Sequence, residues 1–215
     1  MISQRPPPTP QDPGFDSSTE LRLLLDKRAH WNGVTRGVLF SLSHERSLPW
    51  SEFDYDLFFG KTVLAARFLG HHNLVHKGWF GFGNHLSFSQ EFPSGGTDPA
   101  GSSLRGLTAR ELRGDLKLSS TIEYSWQIAW LWSRFAFRGL AFWDATYSGL
   151  VASEGSPRRY VPGTDPSDAR WWNGVGAGFR IYVKTVVIPL VGVDVGYGLE
   201  SGDWNVYLAL GLTEL

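Results

Sequence analysis

The second half of the chain alternates apolar and polar residues with a period of two. Between Leu118 and Gln127, Ile122 and Tyr124 share one side of the chain, while Thr121 and Glu123 share the other. Comparable runs cover 135–147, 175–184, 191–198 and 204–212. Successive side chains of a β-strand point to opposite faces of a sheet, so this period predicts strands with one apolar face each. The sequence therefore predicts an all-β fold of antiparallel strands.

The first half contains shorter stretches of the same kind. Residues 38–43, 53–59 and 62–69 alternate, and Gly60-Lys61 between the last two predicts a tight turn. The segment 21–28 is too short to classify by its pattern alone. We count nine candidate strands in the whole chain.

Alternation is compatible with a soluble sandwich or a membrane barrel, since each gives strands with one apolar face. The polar rows are rich in Gly, Ser, Arg, Asp and Lys, which suits a crowded or wet lumen, and the connections alternate between short and long. Aromatic residues gather at the predicted strand ends, as in the aromatic girdles of membrane barrels. They include Trp126, Trp130, Trp132, Trp171, Trp172 and Trp204. These features favour a transmembrane β-barrel, with membrane lipids as its surroundings, over a soluble sandwich.

Composition excludes several kinds of partner, site and membrane anchor. The net charge of -1 argues against a nucleic-acid partner bound through a basic patch. The chain has no Cys, which excludes disulfides and thiolate metal sites and is compatible with an oxidising compartment. No apolar run approaches the roughly 18 to 20 residues of a spanning helix. The first residues lack the pattern of a secretory signal, so we expect that any such signal has been removed or never existed.

The domain organisation follows from the proline content and the strand pattern. Residues 1–20 include prolines at positions 6, 7, 8, 10 and 13, which predicts a flexible lead. Residues 21–215 form the predicted barrel domain. Within it, residues 70–115 show little alternation and are predicted to be one long extracellular loop, a length that usually indicates a function.

The far end of that loop is dense in Gly, Ser and Arg. It contains Leu104-Arg105-Gly106-Leu107, followed by Arg110, Arg113, Gly114 and Asp115. Glycines beside arginines allow the backbone to turn freely and press a guanidinium into a confined site. An ordinary surface loop with solvated arginines is the alternative reading of this stretch.

Several motifs together carry a resemblance to a known family. They are the Arg-Gly loop, the strand after it, residues 139–144, residues 174–182, and the end from Gly196 to Trp204. In order and spacing they resemble the C-terminal half of the BamA/TamA-type bacterial surface antigen barrels. The resemblance implies an outer-membrane barrel whose long loop folds back into the lumen. It also implies that Arg105, in the place of the family's motif arginine, contacts the acidic residue Asp144.

The chain departs from the family in three respects. Leu107 stands where the motif has an aromatic residue, and Leu215 stands where the last strand ends in Phe. The residues before Leu21 are too few for the family's periplasmic POTRA domains. Only about half of the family's sixteen strands are present, so the resemblance supports fold and location better than it supports a protein-inserting activity.

Catalytic, metal and cofactor sites are not indicated by any motif. His71, His72 and His76 lie close together in the sequence, but nothing fixes a nucleophile beside a base. We therefore predict no enzymatic activity, no metal and no cofactor. The predicted lumen row instead contains a polar network, made of Glu123, Arg134, Arg138, Arg180 and Asp194.

Two functions from different classes follow. The first is a non-enzymatic outer-membrane barrel, a short relative of the assembly and translocation barrels that acts in membrane organisation or in protein or lipid insertion. The alternative is a rim-active outer-membrane lipid hydrolase or acyltransferase.

Closure of the barrel depends on the strand count. Single-chain bacterial barrels normally have an even number of strands, with both termini on the short-turn side. We therefore expect that 21–28 is not a full membrane strand, which leaves about eight. Eight strands close around side chains only, without room for a folded-back loop. A homodimer of sixteen strands is the favoured arrangement over a closed monomer, because it keeps both the strand count and the loop motif meaningful.

Overall fold

Antiparallel strands dominate this computed structural model, which describes residues 14–31, 33–87, 90–97, 102–108, 112–132, 135–149, 170–183 and 189–210. The strands are β1 (Ser18–Asp26), β2 (Ala29–Trp31), β3 (Val34–Ser47), β4 (Asp56–Phe68), β5 (His72–Asn84), β6 (Phe92–Ser94), β7 (Leu112–Gly114), β8 (Leu116–Leu131), β9 (Phe135–Gly149), β10 (Arg170–Val183), β11 (Pro189–Gly198) and β12 (Trp204–Leu210). In this part of the chain, no helix is long and apolar enough to cross a membrane.

One large antiparallel sheet contains ten of these strands. Nine follow one another in the order β1-β3-β4-β5-β8-β9-β10-β11-β12, and β2 pairs with β3 off this path. The remaining strands, β6 and β7, form a small sheet of their own inside the connection between β5 and β8. The prediction of an all-β, antiparallel fold is confirmed.

The connections between neighbouring strands differ in length at the two ends of the sheet. At one end, here the long-connection end, the chain passes through residues 48–55, 85–115, 150–169 and 199–203. At the other, the short-connection end, it passes through 27–33, 69–71, 132–134 and 184–188. The predicted alternation of short and long connections is therefore present in the middle of the chain, where 69–71 and 132–134 are short and 85–115 and 150–169 are long, but 184–188 and 199–203 are equal in length. β1 begins at the long-connection end, opposite Ser47, so the expectation that the N-terminal strand starts on the short-turn side is wrong.

The two faces of the sheet differ in chemistry. On β8, Lys117 and Thr121 are only 2% and 1% exposed, whereas Leu118 and Ile122 on the opposite face are 40% and 36% exposed. We call the face of Lys117 and Thr121 the loop-covered face, because residues 102–108 pack against it, and the other the apolar face. On β8 the polar row is thus buried and the apolar row partly exposed.

The segment 21–28 belongs to a full strand, so the expectation that it is not one is wrong. β1 pairs with β3 along its whole length, from Ser18 opposite Ser47 to Asp26 opposite Leu39. Leu21, Leu23 and Leu25 lie on the apolar face, but Leu24 lies on the other face and hides the alternation. The strand also begins at Ser18, inside the predicted lead 1–20, whose proline-rich residues 1–13 lie outside the described residues.

The tight turn predicted at Gly60-Lys61 is also wrong, because β4 continues through both residues. Gly60 faces Phe80 on β5 in the strand register, and the Phe80 ring lies where a Cβ of residue 60 would be. This glycine therefore provides room for an aromatic side chain within a strand, and it does not reverse the chain.

The predicted loop 70–115 contains a complete strand, β5, so the loop itself spans only 85–115. β5 pairs with β4 on one side and with β8 on the other. Its alternation is disguised because His76 and Gly78 lie on the apolar face, while Val75 and Trp79 lie on the loop-covered face. With β1 and β5 added and β4 no longer divided, the described path has nine strands in place of the expected eight.

An apolar cluster fills the space at the long-connection end. Tyr55, Leu86 and Phe92 are buried there, and Trp79 packs against them. Burial raises the pKa of Tyr55 to about 12, and its hydroxyl donates a hydrogen bond to Glu45 at 3.0 Å. The cluster fixes the first part of the long loop and leaves its far end to cross the sheet.

Candidate functional site

Arg105, at the far end of the long loop, is buried against the loop-covered face. Its Nε and Nη2 donate hydrogen bonds to Oδ2 and Oδ1 of Asp144 on β9, at 2.8 and 2.9 Å. The backbone N–H of Arg105 also donates to Asp144 Oδ2, at 2.9 Å. Asp144 is fully buried. The predicted contact between these two residues is therefore present, in a bidentate geometry that gives strong charge-assisted hydrogen bonds.

Two further carboxylates surround the same guanidinium. Arg105 Nη1 lies 2.8 Å from Glu123 Oε1 on β8 and 3.2 Å from Asp194 Oδ2 on β11. Each of these carboxylates has a second cation. Lys77 Nζ lies 3.2 Å from Glu123, and Arg180 donates to both oxygens of Asp194, at 2.5 and 2.6 Å.

These six residues are called the ion network, and their formal charges balance: Lys77, Arg105 and Arg180 against Glu123, Asp144 and Asp194. Burial by itself lowers the pKa of Arg105, but Glu123, Asp144 and Asp194 outweigh it, so the pKa lies above its usual range. The guanidinium therefore stays charged at any pH used for proteins. The Phe142 ring lies under the guanidinium, 3.5 Å from its Cζ, and adds a cation–π contact.

Glycines of β10 and β11 form the surface on which the loop backbone rests. A Cβ at Gly174 would overlap the carbonyl oxygen of Arg105, and a Cβ at Gly196 would meet the backbone of Arg105 and Gly106. Gly106 itself has φ +117°, a conformation that side chains rarely adopt, and its Cα faces the backbone of Gly198. Only a surface without side chains allows the loop to approach the sheet so closely.

The last strand of the sheet holds the loop from the side. Tyr207 on β12 accepts a hydrogen bond from the Gly106 N–H at 2.9 Å and donates one to the Leu107 carbonyl at 2.5 Å. The Asn205 side chain donates to the Gly106 carbonyl at 2.9 Å. The N–H and carbonyl of Gly106 and the carbonyl of Leu107 thus have hydrogen-bond partners on a strand about 100 residues further along the chain.

Apolar contacts complete the fixation of the loop. Leu104, Leu107 and Leu112 are buried together with Trp172 of β10. Leu107 takes the position at which the resembled family has an aromatic residue, and it packs here as a core side chain. The loop motif is therefore anchored by charge, by backbone hydrogen bonds and by apolar packing at once.

The other predicted site residues lie elsewhere or cannot be placed. Arg138 faces Arg180 in the strand register, but its Nη2 donates to the His71 carbonyl and to Ser125 Oγ, each at 3.0 Å. Arg113 and Gly114 belong to β7, and Asp115 is buried between β7 and β8. Arg110 and Arg134 lie outside the described residues. Of the predicted lumen network, the structure brings together Glu123, Arg180 and Asp194.

The sequence analysis missed several residues of the site. Lys77 was hidden because β5 was interpreted as loop, and its position opposite Thr121 in the strand register would have placed it beside Glu123. Phe142, Asn205 and Tyr207 fall on the inward rows of their strands, which is the available signal for them. No sequence signal distinguishes Gly174 and Gly196 from the many other glycines of β10 and β11.

His72 and His76, which the sequence analysis assigned to the long loop 70–115, lie on β5 and apart from the ion network. His72 on β5 contacts the Tyr124 hydroxyl at 2.6 Å, and His76 Nε2 lies 3.0 Å from Ser120 Oγ on the apolar face. Within the described residues, no group of three His, Asp or Glu side chains is placed to hold a metal ion.

The ion network binds and orients the loop, but it offers no nucleophile beside a base. Its carboxylates are each occupied by a buried cation, and the Arg105 donors described above point to protein oxygens. The arrangement is therefore suited to holding a loop against a sheet. In comparisons with known proteins, no family model matches the chain, and no curated protein matches it.

Replacing Arg105 or Asp144 by Ala should destabilise the protein strongly. Losing one member of a buried ion pair typically costs about 3 to 5 kcal/mol, because the other charge stays buried. Arg105→Ala should cost at least as much as Asp144→Ala, since it leaves three carboxylates. We expect the double variant to cost far less than the sum of the two. Denaturant unfolding measures the four free energies, and Arg46→Ala, which removes an exposed charge, is the control.

If the two single effects simply add, Arg105 and Asp144 do not act as a pair.

Replacing Gly174 by Val should release the loop while leaving the sheet intact. The new side chain overlaps the Arg105 carbonyl, so the loop backbone has to move away from β10. We expect faster tryptic cleavage after Arg105, with an unchanged sheet signal in circular dichroism. Ala177→Val, on the opposite face of the same strand, is the matched control. Equal cleavage rates in both variants would contradict the role of the glycine surface.

Proposed function

We propose that the chain is a non-enzymatic outer-membrane β-barrel module, a short relative of the outer-membrane assembly and translocation barrels, which acts in membrane organisation or in protein or lipid insertion. The observation that carries this proposal is the distribution of polarity across the sheet. Buried charges and hydroxyls lie on the loop-covered face, and large side chains such as Leu64, Leu118 and Trp143 are exposed on the other.

An exposed apolar face of this size is costly in water. Contiguous apolar patches beyond a few hundred Å² are rare on soluble monomers and mark sites of protein or membrane contact. Hydrocarbon is the surrounding in which such a face needs no cover, and closed antiparallel sheets with polar interiors are the β-structures that cross it. The exposed aromatic side chains near both ends of the strands, among them Trp171 and Trp132, fit the two membrane–water interfaces.

The position of residues 102–108, which are held against one face of the sheet, supports the proposal that this face is the interior of a barrel. Arg105 and its partners fill the loop-covered face with a balanced set of charges, so the space is occupied by protein. A surface held in this way favours a structural or organising function over free passage of solutes. A homodimer that closes the sheet stays a prediction.

The location should be evident from extraction. We expect the chain to leave membranes only with detergent and to migrate differently on gels when unboiled, as closed membrane barrels do. Behaviour as a soluble monomer in plain buffer would overturn the proposal.

Leu64→Arg separates lipid from water as the surroundings of the apolar face. Leu64 on β4 is 52% exposed, so in water the change should alter stability by at most about 0.5 kcal/mol. In hydrocarbon an arginine on the lipid face costs about 2 to 4 kcal/mol near the midplane. We expect the larger loss, measured by reversible unfolding in lipid vesicles.

Leu69→Arg is the matched control for that substitution. Leu69 is 81% exposed in the turn between β4 and β5, where the surroundings are aqueous or interfacial in either case. Equal, small effects at both positions would show that the apolar face is not in lipid.

A second candidate, a lipid hydrolase or acyltransferase, is favoured by one observation. His76 Nε2 and Ser120 Oγ lie 3.0 Å apart on the apolar face, which is the geometry of a base beside a nucleophile. The described contacts give no carboxylate that orients the His76 ring. Ordinary pairing of two polar groups on an apolar surface explains the contact equally well.

Release of fatty acid from phospholipid micelles tests this candidate. We expect none from the unmodified protein. Release that is lost in both Ser120→Ala and His76→Ala, and kept in His72→Ala, would establish the enzymatic function in place of the proposed one.

A further inference from the structure

Charge is distributed unevenly between the two ends of the sheet. At the short-connection end, the side chains of Lys27, Arg36 and Arg67 are exposed. Among the described residues, the one acidic side chain at this end is Asp26, and Arg28 donates to both of its oxygens, at 3.0 and 2.8 Å. The described part of the short-connection end therefore carries a net positive charge.

The long-connection end has the opposite charge. Exposed carboxylates lie there beside the start of β1 and in the connections 48–55 and 199–203. They are Asp16, Glu20, Glu52, Asp54, Glu200 and Asp203. In the same half of the described sheet, the exposed basic side chains are those of Arg22 and Arg46. Basic and acidic surfaces at opposite ends of one sheet indicate that the two ends face different surroundings.

The hairpin that presents two of the basic side chains is fixed in position. Arg36 pairs with β2 in this hairpin, and Lys27 precedes it. The Thr35 N–H donates to Asn73 Oδ1 at 2.9 Å, and Asn73 Nδ2 donates back to the Thr35 carbonyl at 2.7 Å. These bonds tie the hairpin to β5, so its cations project from a built surface.

Aromatic side chains lie at the same level on the apolar face. Phe68 directly follows Arg67 at the end of β4, and its ring centroid lies 5.7 Å from that of His72 and 6.1 Å from that of Tyr124. Trp126 continues the row, 5.6 Å from Tyr124. Aromatic rings concentrate at the membrane–water interface, which is the level of the lipid headgroups. The basic side chains of this end therefore lie where lipid phosphates would be.

We propose that the short-connection end binds the phosphate groups of anionic phospholipids through Lys27, Arg36 and Arg67. The proposal rests on the proposed membrane location. Each Lys or Arg near a membrane surface strengthens the attraction of anionic lipids by about fivefold. An acidic protein would match the charges but would not need the aromatic row on the apolar face. A lipid headgroup accounts for both observations.

Lipid retention by the full chain in non-ionic detergent tests the proposal. The protein is mixed with equal amounts of phosphatidylglycerol and phosphatidylcholine that have the same acyl chains, and the retained lipids are counted by native mass spectrometry. One variant combines Lys27→Gln with Arg36→Gln. The control combines Arg22→Gln with Arg46→Gln, which removes the same charge from the other half of the sheet. All four side chains are exposed, so the sheet signal in circular dichroism should not change in either variant.

We expect the unmodified protein to retain phosphatidylglycerol in preference. This preference should fall by at least about fivefold in the Lys27 and Arg36 variant and stay unchanged in the control. The absence of a preference, a preference that the first variant keeps, or an equal loss in both variants would overturn the proposal. Displacement of the lipid by poly-glutamate would also overturn it and establish an acidic polypeptide as the partner. A chain that needs detergent but shows no lipid preference refutes only this proposal, whereas a chain soluble in plain buffer refutes the membrane location as well.

Discussion

The interaction on which the rest of the structure depends is the burial of one charged side chain, Arg105. An isolated charge removed from water is prohibitively costly, so the guanidinium requires carboxylates in fixed positions. Asp144, Glu123 and Asp194 come from three different strands, and Arg180 brings in a fourth. The registers of β8, β9, β10 and β11 are therefore tied to the position of a single loop residue.

The loop backbone also has to approach the sheet closely, and this explains why β10 and β11 contain so many glycines. The backbone N–H of Arg105 can donate to the Asp144 carboxylate only where the neighbouring strands carry no side chains, as at Gly174 and Gly196. Glycine weakens a strand interior, so the sheet accepts lower local stability there. The ion network and the bonds from Tyr207 offset that loss.

Much of the fold could be predicted from alternation, and part of the site from the resemblance. β8 and β9 were predictable because the charged residues of each strand, such as Glu123 and Asp144, all lie on one row. The contact of Arg105 with Asp144 followed from the resemblance. β5 was missed because His76 and Gly78 interrupt its apolar row. Gly60 was wrongly predicted to form a turn, because the sequence does not distinguish a turn glycine from one that leaves room for the Phe80 ring. Lys77 was lost with β5. The glycine surface could not be predicted, since its role lies in a tertiary contact that the local sequence does not encode.

The attachment of the loop to β12 has a consequence for the order of events in folding. Gly106 and Tyr207 are 101 residues apart, and Arg105 and Asp194 are 89 apart. Neighbouring strands are joined mostly by local contacts, which form quickly, whereas contacts between such distant residues form late. We therefore expect the hairpins of the sheet to form before the loop packs against it. Without β11 and β12, Arg105 lacks part of its counter-charge and Gly106 lacks its partners on β12, so the two strands at the C-terminal edge of the sheet are also the ones that secure its interior.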